Sequence, residues 1–252
     1  ALMDSAEIQE EDAAFKKKRH QKEGRSGPFP EAPLYTTEDV QMTMPLVEDV
    51  AYDETRALGP GVSARFRDAG HILGSAMIEL VVRTDGRDRT IVFSGDIGQW
   101  DMPFVRDPTT FERADYVVME ATYGDRDHED PAAVDDLLGR IIRETVEAGG
   151  NVVIPTFAIE RAQDLMFHLS HLVRSGAVPR VPVYLDSPMA REVTQAFERH
   201  DEFLDDQARR LFASGESPFR FPGLTIVRTP EESKARNAIG VALACASAGI
   251  II

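Results

Sequence analysis

The sequence predicts an α/β fold in two parts, and three observations support this. Short strand-like segments begin near residue 49, strands and helices alternate after about residue 126, and no segment repeats. An apolar fraction of 42% beside 28% charged residues is typical of a globular chain with a buried core. Alternating strands and helices favour a parallel sheet covered by helices. The 252 residues are enough for one large domain or two of ordinary size.

The first 49 residues carry helical rather than strand patterns. Residues 2–22 predict a polar helix, and the glycine- and proline-rich residues 23–33 predict a loop. Thr37 is expected to cap a second helix, whose apolar side runs from Val40 to Leu46.

Short strands are expected in the next segment. Residues 62–70 alternate in polarity, and residues 76–84 form a second strand that ends in a hairpin-like turn at 85–88. Residues 90–98 and 115–124 share one plan, an apolar strand whose end carries polar residues.

The last part of the chain alternates between the two kinds of element. Helices are expected over residues 131–148, 159–174, 188–199, 201–213 and 230–237, with strands within 149–158, 181–188 and 224–228. In open α/β sheets, ligand-binding groups lie at the carboxyl ends of the strands. The residues expected there are Asp96, Glu120, Thr156, Asp186 and Ser187.

The composition excludes several classes of protein. No run approaches 18 apolar residues, which excludes a membrane-spanning helix, and a single Cys245 excludes a disulfide framework and a cysteine zinc site. The lone cysteine fits a reducing, cytoplasmic location. A net charge of −15 argues against a generic nucleic-acid-coating surface, although not against an enzyme that meets a phosphodiester in a local cleft. Because the chain starts without methionine and ends in a strand-like run, we expect a piece of a longer protein.

A histidine and an aspartate stand beside glycines in turns that follow strands. His71 lies between Gly70 and the small residues 74–76, and Asp96 lies between Gly95 and Gly98. Taken alone, His71 is more often structural than a ligand, and Asp96 is equally a turn residue. Taken together, an imidazole and a carboxylate from neighbouring strand ends are typical of a metal site.

Five motifs occur in a fixed order: DAGHILGSA, VFSGDIG, EATYGDRDH, IPTFAIERAQ and VYLDSPMA. Together they resemble the metallo-β-lactamase superfamily, in particular its β-CASP branch of nucleic-acid-processing nucleases, over roughly residues 50–237. The resemblance implies part of a metallo-β-lactamase αββα sandwich over residues 1–125. It implies part of a β-CASP domain over residues 126–252.

The resemblance also implies roles for individual residues. His71 corresponds to a ligand of one zinc ion, and Asp96 to the carboxylate that bridges two zinc ions. Glu120 corresponds to an acidic residue that orients a downstream histidine, which protonates the leaving group. Arg161 and Ser187 belong to motifs that line the substrate cleft. For Arg161 a phosphate contact and a structural role remain open, and for Ser187 an N-cap ahead of Pro188 is the favoured alternative.

The chain departs from the family pattern in its ligand set. It has no His-x-His-x-Asp-His motif, only His20 precedes His71, and no histidine follows His200. Two of the expected zinc ligands are therefore present. Since zinc sites need three or four ligands, we expect this piece to bind zinc weakly at best and to be inactive by itself.

Three functions follow from these residues. The first is a zinc-dependent hydrolase that cleaves RNA, carries two zinc ions in the complete protein and could act there as a homodimer. The second is an inactive β-CASP subunit that binds RNA or a partner protein. The third, a hydrolase of small esters or thioesters, is disfavoured because residues 126–237 resemble the nucleic-acid-specific insert.

Other polar residues have simpler interpretations. Asp164, His168 and His171 share one face of the helix predicted over 159–174, opposite an apolar stripe, and we expect a solvated polar face. Glu160 is expected to complement the dipole of that helix. His128 is expected to lie in a charged loop rather than to bind metal.

Overall fold

The computed structural model describes residues 1–27, 31–126, 133–227, Glu232 and residues 241–244. Two compact units divide the chain, Ala1–Asp49 and Val50–Ile252. The division falls where the sequence changes from helical to strand patterns. A domain boundary after residue 125 stays a prediction. Among the described residues, no helix is both long enough and apolar enough to cross a membrane.

The first unit contains two helices, α1 (Leu2–Glu23) and α2 (Thr37–Thr43). The cap of α2 is Thr36 and not Thr37 as predicted. The Thr36 hydroxyl accepts the Asp39 N–H at 3.2 Å, and the Asp39 carboxylate accepts the Thr36 N–H at 2.8 Å. This reciprocal capping box requires an acidic or amide side chain at the third helical position. Asp39 holds that position when Thr36 is the cap, so the motif identifies Thr36, one residue before the predicted cap.

A five-stranded sheet opens the second unit, and its strands follow one another in chain order. The strands are β1 (Thr55–Gly59), β2 (Val62–Asp68), β3 (Ala76–Thr84), β4 (Arg87–Phe93) and β5 (Tyr116–Val118). The first four strands pair antiparallel, and β5 pairs parallel to β4. Asp85 and Gly86 have φ angles of 53° and 73°, as a two-residue hairpin turn requires. Strand β1 was not predicted.

The remainder of the unit builds a parallel sheet in the order β7-β6-β8. Its elements are α3 (Val134–Glu147), α4 (Arg161–Arg174), β6 (Val183–Asp186), α5 (Pro188–Arg199), α6 (Asp206–Ala213), β7 (Leu224–Ile226) and β8 (Val241–Ala244). The α/β class and the parallel sheet accompanied by helices are confirmed.

Three predicted elements have different outcomes. The helix over 201–213 is interrupted, because Asp205 caps α6 by accepting the Ala208 N–H at 2.6 Å. Residues 149–158 form isolated bridges instead of a strand. The helix over 230–237 and the loop residue His128 lie outside the described residues, apart from Glu232.

Phe104 anchors the β4–β5 connection on the helical core. Its side chain is 1% exposed, stacks on Phe219 at 5.2 Å between ring centroids, and meets Phe167 and Phe197 edge-on. Its carbonyl accepts the Asp205 N–H at 2.8 Å. A φ of +69° is unfavourable for a bulky residue, so this packing must offset local strain. The connection that follows Asp96 is therefore anchored in the core at Phe104.

The substitution Phe104→Ala tests this anchor. We expect the free energy of unfolding to fall by about 3–5 kcal/mol, because a buried ring and its ring partners are lost. Chemical denaturation measures it, with Phe157→Ala as control, since Phe157 is 68% exposed. A loss at Phe104 no larger than that of the control would contradict the anchoring role.

Candidate metal and catalytic site

His71 lies in a tight turn between β2 and β3. The Ser75 hydroxyl accepts the N–H groups of both His71 and Ile72 at 3.2 Å, and the Ser75 N–H returns to the Ile72 carbonyl at 3.0 Å. At the start of the turn, the Asp68 carboxylate accepts the Gly70 N–H at 2.9 Å. These bonds hold the backbone of the turn, so the imidazole projects from a fixed support.

The turn of His71 touches the turn of Asp96 through glycines. The Gly98 N–H donates to the Ala69 carbonyl at 2.9 Å, and a Cβ on Gly98 would lie 1.7 Å from the Gly70 carbonyl oxygen. Gly70 has a φ of +60°, and a Cβ there would lie 2.6 Å from the Arg106 carbonyl oxygen. Only glycine fits either position, and the two backbones can therefore lie in direct contact.

This contact brings His71 and Asp96 together. Nε2 of His71 lies 3.9 Å from Oδ2 of Asp96, and the two side chains are 41% and 73% exposed. Two donors that each lie about 2.0–2.2 Å from one zinc ion are about 3.3–3.6 Å apart in tetrahedral geometry and at most about 4.4 Å apart. The pair therefore has the donor types of a zinc site, and its separation of 3.9 Å lies between the tetrahedral distance and the upper limit. Among the described residues, no group of three or more His, Cys, Asp or Glu side chains is placed to hold a metal.

Glu120 follows β5 and is bonded to the Asp96 turn. Its Oε1 accepts the Ile97 N–H at 2.6 Å, and its own N–H donates to the Ser94 hydroxyl at 3.1 Å. The bond from the Ile97 N–H is the main cause that lowers the pKa of Glu120, followed by a hydrogen bond from the Thr122 side chain. Glu120 is therefore a carboxylate at neutral pH, and it positions the turn that carries Asp96.

A cleft of about 460 Å³ opens beside these groups. Its polar lining comes from Ser94, Asp96 and Glu120. The apolar part of the lining consists of Ala76, Ile78, Phe93, Val118 and Met119. The cleft therefore offers a substrate both apolar surface and two carboxylates.

The remaining predicted site residues lie in the helical part of the unit. Arg161 is exposed in the first turn of α4. Ser187 is 5% exposed and caps α5, because its hydroxyl accepts the Ala190 N–H at 3.1 Å. The cap with Pro188 at the first helical position is confirmed. Substrate contacts by Arg161 and Ser187 stay predictions.

The solvated polar face expected on α4 holds for His171, whose side chain is 66% exposed, but is wrong for Asp164. Asp164 is 7% exposed, and burial raises its pKa to about 7. The two oxygens of the Asp135 carboxylate on α3 accept the Nδ1–H groups of His168 and His171, at 2.7 and 2.6 Å, and so link the two helices. The bonds of the two histidines result from the packing of α3 against α4. The periodicity of residues within α4 cannot predict them, because it carries no information about the partner helix.

Glu160 was expected only to complement the dipole of α4, and its burial and its contact with the His71 turn were not predicted. It precedes α4, is 5% exposed, and its Oε2 accepts the Leu73 N–H at 3.1 Å in the turn that carries His71. Burial is the main cause that raises its pKa to about 8, and the nearby Asp164 adds to the effect. The only signal in the sequence is that residues 160 and 164 lie one helical turn apart.

The second unit is thus an α/β body whose strand ends present a histidine–aspartate pair of the metal-ligand type. Residues 162–252 match the Beta-Casp domain. Ribonuclease TTHA0252 of Thermus thermophilus is 36% identical over 220 residues, which are 87% of this chain and 49% of that protein. Transcription termination factor FttA of Methanosarcina mazei is 36% identical over 79% of this chain and 30% of that protein.

A third relative, the RNase J-like protein of Methanocaldococcus jannaschii, is 33% identical over 73% of this chain and 44% of its own length. The domain match, these relatives and the five ordered motifs agree. The chain belongs to the β-CASP branch of the metallo-β-lactamase superfamily. It spans about half the length of the Thermus relative and less of the other two.

The substitution Gly98→Ala tests the contact between the two turns. Its methyl group would collide with a backbone oxygen that cannot rotate away, so we expect a loss of at least about 2–3 kcal/mol in the free energy of unfolding. The control is Gly139→Ala on α3, where the nearest atom, at 3.1 Å, belongs to the flexible end of Arg143. Thermal unfolding compares them, and equal stabilities would refute the close approach.

The buried carboxyl pair predicts a pH dependence. Since the folded pKa values of Glu160 and Asp164, about 8 and 7, exceed the ordinary values near 4, the folded state binds more protons between these limits. The stability that these two groups contribute is fully present below about pH 4 and is lost as pH rises through 7 to 8. Urea titrations from pH 5 to 8.5 measure this. In Asp164→Asn the decline should be shallower, and an unchanged slope would contradict the buried titration.

Proposed function

We propose that the protein is a zinc-dependent hydrolase that cleaves phosphodiester bonds of RNA, and that this chain carries part of its active site. The observation on which the proposal rests is the pair of His71, in the β2–β3 turn, and Asp96, after β4, which lie 3.9 Å apart. Membership of the β-CASP branch supports it, as do relatives named ribonuclease and RNase J-like protein.

The donor types fit this chemistry. His71 would contribute a neutral imidazole nitrogen, and Asp96 has two oxygens with which it could bridge two ions. When bound, zinc ions supply an activated water at neutral pH and positive charge for a phosphodiester. Glu120 holds the Asp96 turn through the Ile97 N–H, which keeps the Asp96 carboxylate in place during turnover. Residues of the complete protein would supply the other ligands.

The acidic composition is compatible with an RNA substrate. At a net charge of −15, the protein surface repels a polyanion over long distances. Attraction must then be local, and bound metal together with Arg161 at the start of α4 would provide it. A cytoplasmic location, where RNA is available and Cys245 stays reduced, belongs to the same proposal.

A second candidate is a role in transcription termination, since several relatives of this chain are named transcription termination factors. RNA cleavage and termination are compatible, and they are separated by assay. Cleavage requires only purified protein and RNA, whereas termination requires a transcribing polymerase.

The variants His71→Ala and Asp96→Asn of the full-length protein test the proposed function. We expect each to lower cleavage of an end-labelled RNA at least about 100-fold, because each removes a metal ligand. His200→Ala is the control, since this exposed side chain pairs with Glu202 at 3.3 Å, outside the cleft.

The same samples are tested on single-stranded DNA and on a small thioester. Cleavage of RNA that survives both ligand substitutions would refute the assignment of His71 and Asp96. Binding of RNA without cleavage by the wild type would favour an inactive β-CASP subunit, and hydrolysis of the thioester alone would favour a small-substrate hydrolase.

A further inference from the structure

Glu160 occupies a position that is unfavourable for a glutamate in three ways. Its backbone has a φ of +64°, a conformation that suits glycine. Its side chain is 5% exposed, and its Oε1 has no hydrogen-bond partner among the described residues. Asp164, which is also buried, opposes a negative charge on it. A residue with no task beyond local structure would be better replaced by glycine at this point.

One contact explains why a carboxyl group stands there. Oε2 of Glu160 accepts the Leu73 N–H at 3.1 Å, across 87 residues of sequence. Leu73 lies two residues after His71 in the same turn, and its side chain packs against the hydrophobic core. The turn is also bonded internally through Ser75 and Asp68, and from outside by the Gly98 N–H and the Tyr52 hydroxyl, neither of which belongs to α4. Glu160 is thus the link between the His71 turn and the start of α4.

We propose that Glu160 is a positioning residue for the metal centre: its carboxyl oxygen holds the Leu73 amide and thereby sets the His71 turn relative to α4. Arg161, the next residue along the chain, begins α4 and is exposed. A single side chain therefore ties the metal-ligand turn to the element that carries the candidate phosphate contact. This inference rests on the proposed function, because it assigns His71 to a metal.

Glu160→Gln and Glu160→Met form a matched pair for the test in the full-length protein. Both keep a long side chain and the same backbone strain, but only glutamine keeps an oxygen that can accept the Leu73 N–H. We expect zinc affinity, measured by competition with a chromophoric chelator, to stay within twofold for glutamine. For methionine we expect it to fall about tenfold or more, the usual effect of losing a residue that orients a ligand.

Glu160→Gly separates positioning from stability. Glycine relieves the strain at φ +64° and removes the buried carboxyl group, so the metal-free protein should melt at or above the wild-type temperature. Its zinc affinity should nevertheless fall about as far as that of the methionine variant. Asp85→Gly is the control, since it relieves a similar φ of 53° in the exposed β3–β4 turn and should leave zinc affinity unchanged.

The outcomes are distinct. Wild-type zinc affinity in the methionine or glycine variant would overturn the proposal, as would an equal loss in the glutamine variant. RNA cleavage is measured beside zinc affinity, and kcat should fall in the methionine variant while KM stays near the wild-type value. If the wild type binds zinc but cleaves no RNA, the proposed function fails, while the zinc affinities of the four variants still decide the role of Glu160.

Discussion

The contact between Gly70 and Gly98 is the constraint on which the candidate site depends. Each glycine occupies a space that any side chain would fill with atoms 1.7 to 2.6 Å from a backbone oxygen. Because the two backbones touch, the histidine after one glycine and the aspartate before the other face each other at 3.9 Å. If the two turns moved apart, the distance between His71 and Asp96 would increase as well. The glycines beside His71 and Asp96 thus allow the two turns to approach each other closely, in addition to shaping each turn.

Two links carry this local arrangement into the helical part of the unit. Phe104, in the connection after Asp96, is held among phenylalanines of the helical core. Glu160, at the start of α4, is bonded to the turn of His71. Both residues adopt positive φ angles that are costly for residues with side chains, 69° and 64°. Strain at both links indicates that the tertiary contacts, not the local chain preferences, hold these segments.

The glutamates of the site differ in charge because their surroundings differ. Glu120 is approached by the Ile97 N–H and the Thr122 side chain, and these hydrogen bonds lower its pKa. Glu160 accepts one N–H in a buried setting beside another carboxyl group, and its pKa rises to about 8. At neutral pH the first is a carboxylate, whereas the second is largely protonated. An anion thus stands near the His71–Asp96 pair, while the contact between the His71 turn and the start of α4 is made without a buried charge.

Features that depend on neighbours along the chain follow from the amino-acid sequence alone. The cap of Ser187 with Pro188, the turn at Asp85–Gly86 and the pairing of glycines with His71 and Asp96 are local patterns, and motif order identified the family. The other features depend on how distant segments of the chain pack together. The burial of Asp164, the bonds of Asp135 to two histidines and the bond from Leu73 to Glu160 join residues up to 87 positions apart. A periodicity within one element gives the face on which a residue lies, but the partner of that face is set by how separate elements pack.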